Sequence, residues 1–229
     1  MSKEKDTYHK GRLQARPGKV TTAGPVGLQH LGLDAKRDAL LYVPAGYNPA
    51  KPAPMALMFH GAGGRAETGL NYLQPLAEQT GLILLATSSR RSTWDVITFE
   101  GYGPDIEFVD QALAFTFERY AIDVSRLAVG GFSDGASYAL SVGLTNGDLF
   151  SHILAFSPGF IAPSVWHGKP AIFITHGLED KVLPIDACSR KLVPGLKAKG
   201  YNPVYHEFDG PHTIPVSLAF EALEWLLDG

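Results

Sequence analysis

The stretch LAVGGFSDGAS, residues 127–137, decides the fold of this chain. It begins as an apolar run typical of a buried strand and continues into residues that favour a helix. Between them, the segment 131–135 matches the pattern G-x-S-x-G, in which a serine sits on a sharp turn from strand to helix. Gly131 and Gly135 fit this turn because side chains there would collide. The pattern predicts that the Ser133 hydroxyl stands above a sheet, with the N-terminus of the next helix beneath any negative charge that develops.

Short β-rich runs and longer helical patterns alternate on both sides of this stretch. The predicted strands are residues 13–16, 39–43, 55–59, 82–87, 127–130, 153–156, 171–175 and 204–208. The predicted helices are residues 67–79, 105–120, 136–144, 184–199 and 215–227. Because most of these strands are continuous apolar runs, they predict an α/β fold with a mostly parallel, doubly wound sheet of about eight strands, flanked by helices. We expect one domain over residues 11–229, after a polar and mobile segment 1–10.

Composition excludes several classes of protein. The 229 residues carry a formal net charge of −3, which argues against nucleic-acid binding. Cys188 is the single cysteine, so neither an intrachain disulfide nor a cysteine-rich metal site is expected. The N-terminal residues lack the apolar core of a secretory signal, and no apolar stretch approaches the roughly 20 residues that span a bilayer. We therefore expect a cytoplasmic protein without a membrane span.

A reactive serine needs a histidine as general base and a carboxylate that orients the histidine. In parallel sheets, active sites gather at the carboxyl ends of the strands. His212 lies in the loop Gly210-Pro211-His212-Thr213, between the last predicted strand and the last predicted helix, and is the preferred base. The other histidines after Ser133 lie in or beside predicted strands or lack motif support; they are His152, His167, His176 and His206. Of these, His176 is expected to make a structural hydrogen bond in a turn.

The preferred carboxylate is Asp180, in the segment HGLEDKVLP at residues 176–184. This segment follows a predicted strand and lies between Ser133 and His212 in the chain, as the order serine, acid, histidine requires. Glu179 is the alternative. Asp209 is too close in sequence to His212 to come from a separate strand loop.

A glycine-rich segment, His60-Gly61-Ala62-Gly63-Gly64, follows the predicted strand 55–59. Glycines let backbone N–H groups approach a substrate oxygen, so the segment is a candidate oxyanion hole together with the N–H of Asp134. Ala62 is the preferred second donor and Gly63 the alternative, while His60 is expected to hold the loop. A phosphate-binding loop is the competing interpretation, but the segment lacks the Lys-Ser/Thr ending of a P-loop.

Four motifs, HGAGG, GFSDG, HGLEDKVLP and GPH, resemble in order and spacing those of the α/β-hydrolase superfamily over about residues 38–227. The chain is similar to small phospholipase/carboxylesterases and to polyhydroxybutyrate-depolymerase-like and feruloyl-esterase-like enzymes. The resemblance implies a carboxylic ester hydrolase that forms an acyl-enzyme without metal or cofactor. It also implies a triad of Ser133, Asp180 and His212, with Ala62 and Asp134 as oxyanion donors. Small carboxylesterases usually carry a bulkier residue at Ala62 and Gln or Met at Asp134, so the substrate subclass stays open.

The substrate pocket is less well defined by the sequence. Trp94, Phe160 and Trp166 follow predicted strands and are candidates to line an apolar pocket, with core packing as the alternative for each. No long insertion follows residue 156, so no large lid is expected, which favours small-molecule esters with short-chain or aryl groups. Two other functions stay open, a small serine peptidase or acyl-peptide hydrolase and a non-catalytic binding protein. The oligomeric state is not indicated.

Overall fold

The computed structural model describes residues 7–98 and 101–228, in which eight strands form one sheet. The strands are β1 (Gly27–His30), β2 (Ala39–Val43), β3 (Ala53–Phe59), β4 (Ile83–Thr87), β5 (Ile122–Phe132), β6 (His152–Phe156), β7 (Ala171–Gly177) and β8 (Val204–Phe208). Their order across the sheet is β1-β2-β4-β3-β5-β6-β7-β8. Only the pairs β1–β2 and β2–β4 are antiparallel, so the predicted mostly parallel sheet is confirmed.

From residue 66 onward, the described chain has seven helices, of which six connect strands and the last follows β8. They are α1 (Ala66–Asn71), α2 (Gln74–Thr80), α3 (Asp95–Thr98), α4 (Pro104–Arg119), α5 (Asp134–Thr145), α6 (Ser189–Ala198) and α7 (Val216–Asp228). Buried residues of α4, α5 and α6 belong to one core cluster, and those of α1, α2 and α7 belong to a second. The sheet is therefore covered on both faces, as predicted for a doubly wound fold.

The strand β3 shows why the sequence runs are continuously apolar. Its residues Met55, Leu57 and Phe59 pack in the first cluster, whereas Ala56 and Met58 pack in the second. Successive side chains of a strand point to opposite faces, so a strand covered on both sides has no polar position.

The structure corrects several predicted elements near the ends of the sheet. Residues 13–16 form no strand, because the N–H of Leu13 donates to Asn146 Oδ1 at 2.9 Å instead of to a neighbouring strand. The edge strand β1 was not predicted, and its alternating exposure leaves little apolar signal. The predicted helix 67–79 is divided into α1 and α2, with Pro75 in the first turn of α2. The predicted helix 184–199 starts only at Ser189.

The sequence predicted a mobile N-terminal segment and no large lid in the connection after β6. Of the segment 1–10 that was predicted to be mobile, residues 1–6 lie outside the described residues, and residues 7–9 form a helical turn. Residues 157–170, between β6 and β7, contain no helix. No helix within residues 7–98 and 101–228 has the length and apolar character needed to cross a membrane. The single domain and the cytoplasmic location stay predictions.

Candidate active site

The segments that the sequence singled out follow four strands of the parallel part of the sheet. Ser133 follows β5, the segment 60–64 follows β3, Asp180 follows β7 and His212 follows β8. Parallel strands bring their carboxyl ends to one edge of the sheet. All four segments therefore lie at the same edge.

Ser133 occupies a strained turn between β5 and α5. Its backbone angles are φ 58° and ψ −121°, in a region that side-chain-bearing residues rarely adopt. A Cβ on Gly135 would lie 2.3 Å from the carbonyl oxygen of Phe59, and one on Gly131 would lie 2.5 Å from the Gly135 carbonyl carbon. The two glycines are thus required by the close approach of the turn to β3. Strain of this kind persists only where the surrounding packing enforces it, and it is concentrated at functional sites.

Replacing Gly135 with alanine is expected to destabilise the protein by about 2 kcal/mol or more, because the backbone of β3 must move to admit the methyl group. Urea denaturation of Gly135→Ala would measure the loss. Gly195→Ala is the matched control, since Gly195 lies within helix α6 and a Cβ there would meet no atom within 4 Å. That variant should be as stable as the wild type or slightly more stable. Equal stability of the two variants would contradict the tight turn.

Asp180 and His212 are joined by a short hydrogen bond between adjacent loops. His212 Nδ1 lies 2.5 Å from Asp180 Oδ2, and the carboxylate is buried. The other oxygen, Oδ1, accepts the N–H groups of Val182 at 2.9 Å and Leu183 at 2.8 Å. Burial by itself would raise the pKa of Asp180, but these hydrogen bonds and that of His212 outweigh it and lower the pKa. The carboxylate is therefore held ionised in a fixed orientation against the imidazole.

His176 makes the structural hydrogen bonds that were predicted for it, and it also contacts the acid. Its Nε2 lies 2.7 Å from the Leu183 carbonyl oxygen and 3.2 Å from Asp180 Oδ2. Because a carbonyl oxygen can only accept, Nε2 carries the proton, and Nδ1 is left to accept from Ser189 Oγ at 2.7 Å. Burial lowers the pKa of His176, which keeps the ring neutral. Asp180 thus receives hydrogen bonds on both oxygens.

Glu179, the alternative acid, is exposed to solvent. Its N–H donates to the Gly210 carbonyl oxygen at 3.0 Å, which ties the acid loop to the histidine loop. On the other side, the His212 ring contacts the Phe132 ring at a centroid distance of 4.5 Å. Since Phe132 directly precedes Ser133, this contact joins the histidine to the serine turn.

The glycine-rich segment adjoins Ser133 on its other side. A Cβ on Gly61 would lie 3.5 Å from the Ser133 Cβ. The N–H of Gly63 donates to the Ser92 carbonyl oxygen at 2.7 Å and is therefore engaged, which favours Ala62 over Gly63 as the donor. Asp134 is the first residue of α5, so its N–H has no acceptor within the helix.

His60 holds this segment, as the sequence predicted. Its Nε2 accepts the N–H of Ser89 at 3.0 Å, so Nδ1 carries the proton and donates to the Gly61 carbonyl oxygen at 2.6 Å. Burial lowers the pKa of His60 to about 4, so the ring is neutral and serves as a fixed structural element.

The three predicted pocket residues have different positions. Trp94 is fully buried, its ring stacks on Tyr138 at 4.7 Å, and it has no surface to offer a ligand. Trp166 lies beside His167, whose N–H bonds to the Leu144 carbonyl at the C-terminal end of α5. This 12-residue helix is about 18 Å long, which separates Trp166 from the serine turn at the other end. The structure thus corrects the pocket assignment for both tryptophans.

Phe160 stays a candidate for the pocket. Its N–H lies 3.4 Å from Ser137 Oγ, and the N–H of Gly159 donates to the same hydroxyl at 2.8 Å. Ser137 is one helical turn after Ser133, so Phe160 lies close to the candidate nucleophile. Ser141 repeats the contact one turn later by accepting the N–H of Ala162 at 2.9 Å. The sequence reasoning missed these hydroxyls, although their four-residue spacing on α5 was a usable signal.

No arrangement for a metal was found in the part of the chain that the structure describes. Among residues 7–98 and 101–228, no three His, Cys, Asp or Glu side chains are grouped so that they could hold a metal ion. The groups that the described site offers for chemistry are Ser133, His212, Asp180 and the backbone amides around them.

The strand order and the places of the four segments are those of the α/β-hydrolase fold. Residues 105–215, slightly less than half of the chain, match the model of the phospholipase/carboxylesterase family. A probable feruloyl esterase C of Aspergillus oryzae is 27% identical over 158 residues, which are 66% of this chain and 57% of that protein. The matched part thus spans little more than half the length of this relative.

Solved structures agree with the fold. The CE1 ferulic acid esterase of Anaeromyces mucronatus superposes with a TM-score of 0.65 at 16% identity, covering 95% of this chain and 93% of that one. An acetyl xylan esterase from Aspergillus awamori gives a TM-score of 0.68 at 18% identity, covering 87% and 98%. At these identities the likeness establishes the fold, and the resemblance that the sequence motifs indicated is confirmed at this level.

Proposed function

We propose that this protein is a carboxylic ester hydrolase in which Ser133 is the nucleophile, His212 the general base and Asp180 the acid that orients it. The observation that carries the proposal is the 2.5 Å hydrogen bond from His212 to the buried Asp180, beside the strained turn at Ser133. A strained serine, a histidine base and a buried carboxylate on three neighbouring loops are the parts that acyl transfer requires. The esterase names of the relatives support the same activity.

The proposed acyl transfer depends on which nitrogen of His212 carries a proton. In the neutral imidazole whose Nδ1–H donates to Asp180, Nε2 is the nitrogen left to accept the proton of Ser133. Ser133 Oγ then attacks the ester carbonyl, and the oxyanion is bound by the N–H groups of Ala62 and Asp134. His212 returns the proton to the leaving alcohol, and water repeats the sequence on the acyl-enzyme. Asp180 stabilises the imidazolium that forms in each step.

The surroundings of the site favour short-chain or aryl esters. Phe160 is half-buried near Ser133. Val182 in the acid loop and Val216 at the start of α7, just after the base loop, are 66% and 78% exposed. The connection 157–170 contains no helix that would enclose a long acyl chain. An apolar, open site binds a flat or short group more readily than a long flexible one, which loses more conformational entropy.

A panel of substrates tests this function. We expect hydrolysis of p-nitrophenyl acetate, p-nitrophenyl butyrate and methyl ferulate, a much lower kcat/KM for p-nitrophenyl palmitate, and no cleavage of aminoacyl p-nitroanilides. Comparable cleavage of the anilides would establish the peptidase alternative instead. A protein that hydrolyses no ester and resists labelling by a fluorophosphonate would be a binding protein on a hydrolase fold.

A further inference from the structure

Residues 92–94, which follow β4, contact both segments that carry the oxyanion donors. The Ser92 carbonyl accepts the N–H of Gly63 at 2.7 Å, next to Ala62. The Trp94 Nε1–H donates to the His60 carbonyl at 2.9 Å, in the same glycine-rich segment. Between them, Thr93 Oγ1 donates to Asp134 Oδ2 at 2.6 Å, across to the start of α5. Three consecutive residues therefore bridge the loop after β3 and the turn after β5.

We propose that Thr93 is a positioning residue that fixes Asp134, and with it the spacing between the N–H groups of Ala62 and Asp134. The inference rests on the proposed function, because it assigns these two amides to the oxyanion hole. Nothing in the sequence of residues 92–94 indicated this role.

The position of the Asp134 side chain makes such a restraint necessary. Asp134 directly follows Ser133 and begins α5, so a shift of this residue would move its N–H, a proposed oxyanion donor, relative to Ser133. A short acidic side chain can also bond to backbone N–H groups nearby, including those needed for the substrate. The hydrogen bond from the Thr93 hydroxyl occupies Oδ2 of Asp134, so this oxygen is kept from bonding to those N–H groups. Charge on the carboxylate that moved closer to the oxyanion would raise the energy of the transition state.

The residues around Thr93 are held in place by packing and hydrogen bonds. Thr93 itself is 9% exposed. The ring of the next residue, Trp94, packs on Phe59 at a centroid distance of 4.6 Å. The loop beyond is fixed by reciprocal bonds: the N–H of Asp95 donates to Asp105 Oδ2 at 2.7 Å, and that of Asp105 donates to Asp95 Oδ2 at 3.0 Å. A donor array stabilises a transition state best when its supports cannot relax.

The test compares Thr93→Val, which keeps the shape of the side chain and removes the hydroxyl, with Thr93→Ser, which keeps the hydroxyl. Removing an oxyanion donor costs about 10²–10³ in kcat, so displacing one is expected to cost less, roughly tenfold. We expect Thr93→Val to lower kcat on p-nitrophenyl acetate roughly tenfold with KM within about twofold, and Thr93→Ser to restore most of the rate. A trifluoromethyl ketone, whose carbonyl carbon bonds to Ser133 Oγ and whose oxygen becomes an oxyanion, should bind Thr93→Val more weakly by a similar factor.

A double-mutant cycle separates positioning from general damage. If Thr93 acts through the Asp134 side chain, Thr93→Val should change kcat less than about twofold in the Asp134→Ala background. A tenfold loss in both backgrounds, or a Thr93→Val enzyme as fast as the wild type, would overturn the positioning role. Ester hydrolysis by the wild type that Ser133→Ala abolishes supports the proposed function in either case, so the two proposals fail separately.

Discussion

Replacing Ser133 with alanine is expected to abolish ester hydrolysis, lowering kcat by about 10⁴-fold or more, and to prevent labelling by a fluorophosphonate. The reason is chemical, because the acyl-enzyme cannot form without the hydroxyl oxygen. The fold should survive, since the turn is enforced by Gly131, Gly135 and the bond from the Ser133 N–H to the Phe156 carbonyl at 2.9 Å. Steady-state rates, labelling and circular dichroism on one preparation measure all three effects. Undiminished turnover in a folded Ser133→Ala protein would refute the proposed nucleophile.

Ser157→Ala is the matched control for this experiment. Ser157 is the other non-glycine residue with positive φ among the described residues, at 52°, and it follows β6 beside the serine turn. Within the described chain its buried hydroxyl has no hydrogen-bond partner, so its removal should not destabilise the protein. We expect labelling and turnover in Ser157→Ala. Loss of both there would mean that the effect of Ser133→Ala reflects local disruption.

Replacing Asp180 with asparagine is expected to lower kcat by about 10⁴-fold, as the loss of the correct histidine tautomer does in serine hydrolases. The amide oxygen can still accept the N–H groups of Val182 and Leu183, which places the amide NH₂ toward His212. His212 must then accept through Nδ1 and carry its proton on Nε2, where it can no longer take the proton of Ser133. The rate should fall in kcat, with a smaller change in KM. A pH–rate profile would follow the remaining activity.

Glu179→Gln controls for the neighbouring carboxylate. Glu179 is exposed and reaches the histidine loop through its backbone N–H, which the substitution retains. We expect kcat within about twofold of the wild type, because a solvated charge at this place is strongly screened. If Glu179→Gln lost the activity and Asp180→Asn kept it, the assignment of the acid would be reversed.

Much of the fold could be predicted because its strands are buried on both faces. Strands such as β3 and β4 therefore stand out as apolar runs between polar turns. The half-buried edge strand β8 was also predicted, with its observed bounds, Val204–Phe208. The edge strand β1 was missed because one face of it is exposed and it has only four residues. The division of the helix at 67–79 also escaped prediction, since local periodicity continues through the break.

The sequence alone determined which residues can react: a serine between two glycines, and an acid and a histidine in the loops that follow later strands. These are local properties of residue type and spacing, although the need for glycine at Gly135 comes from the approach of the Phe59 carbonyl of β3. Only the tertiary structure decided the partners. Asp180, and not Glu179, bonds to His212. The N–H of Gly63 is taken up by the Ser92 carbonyl, and Trp94 is buried. Thr93 bonds to Asp134. Each of these contacts links loops from different strands, and the distances between them follow from sheet order and packing, which no single stretch of sequence contains.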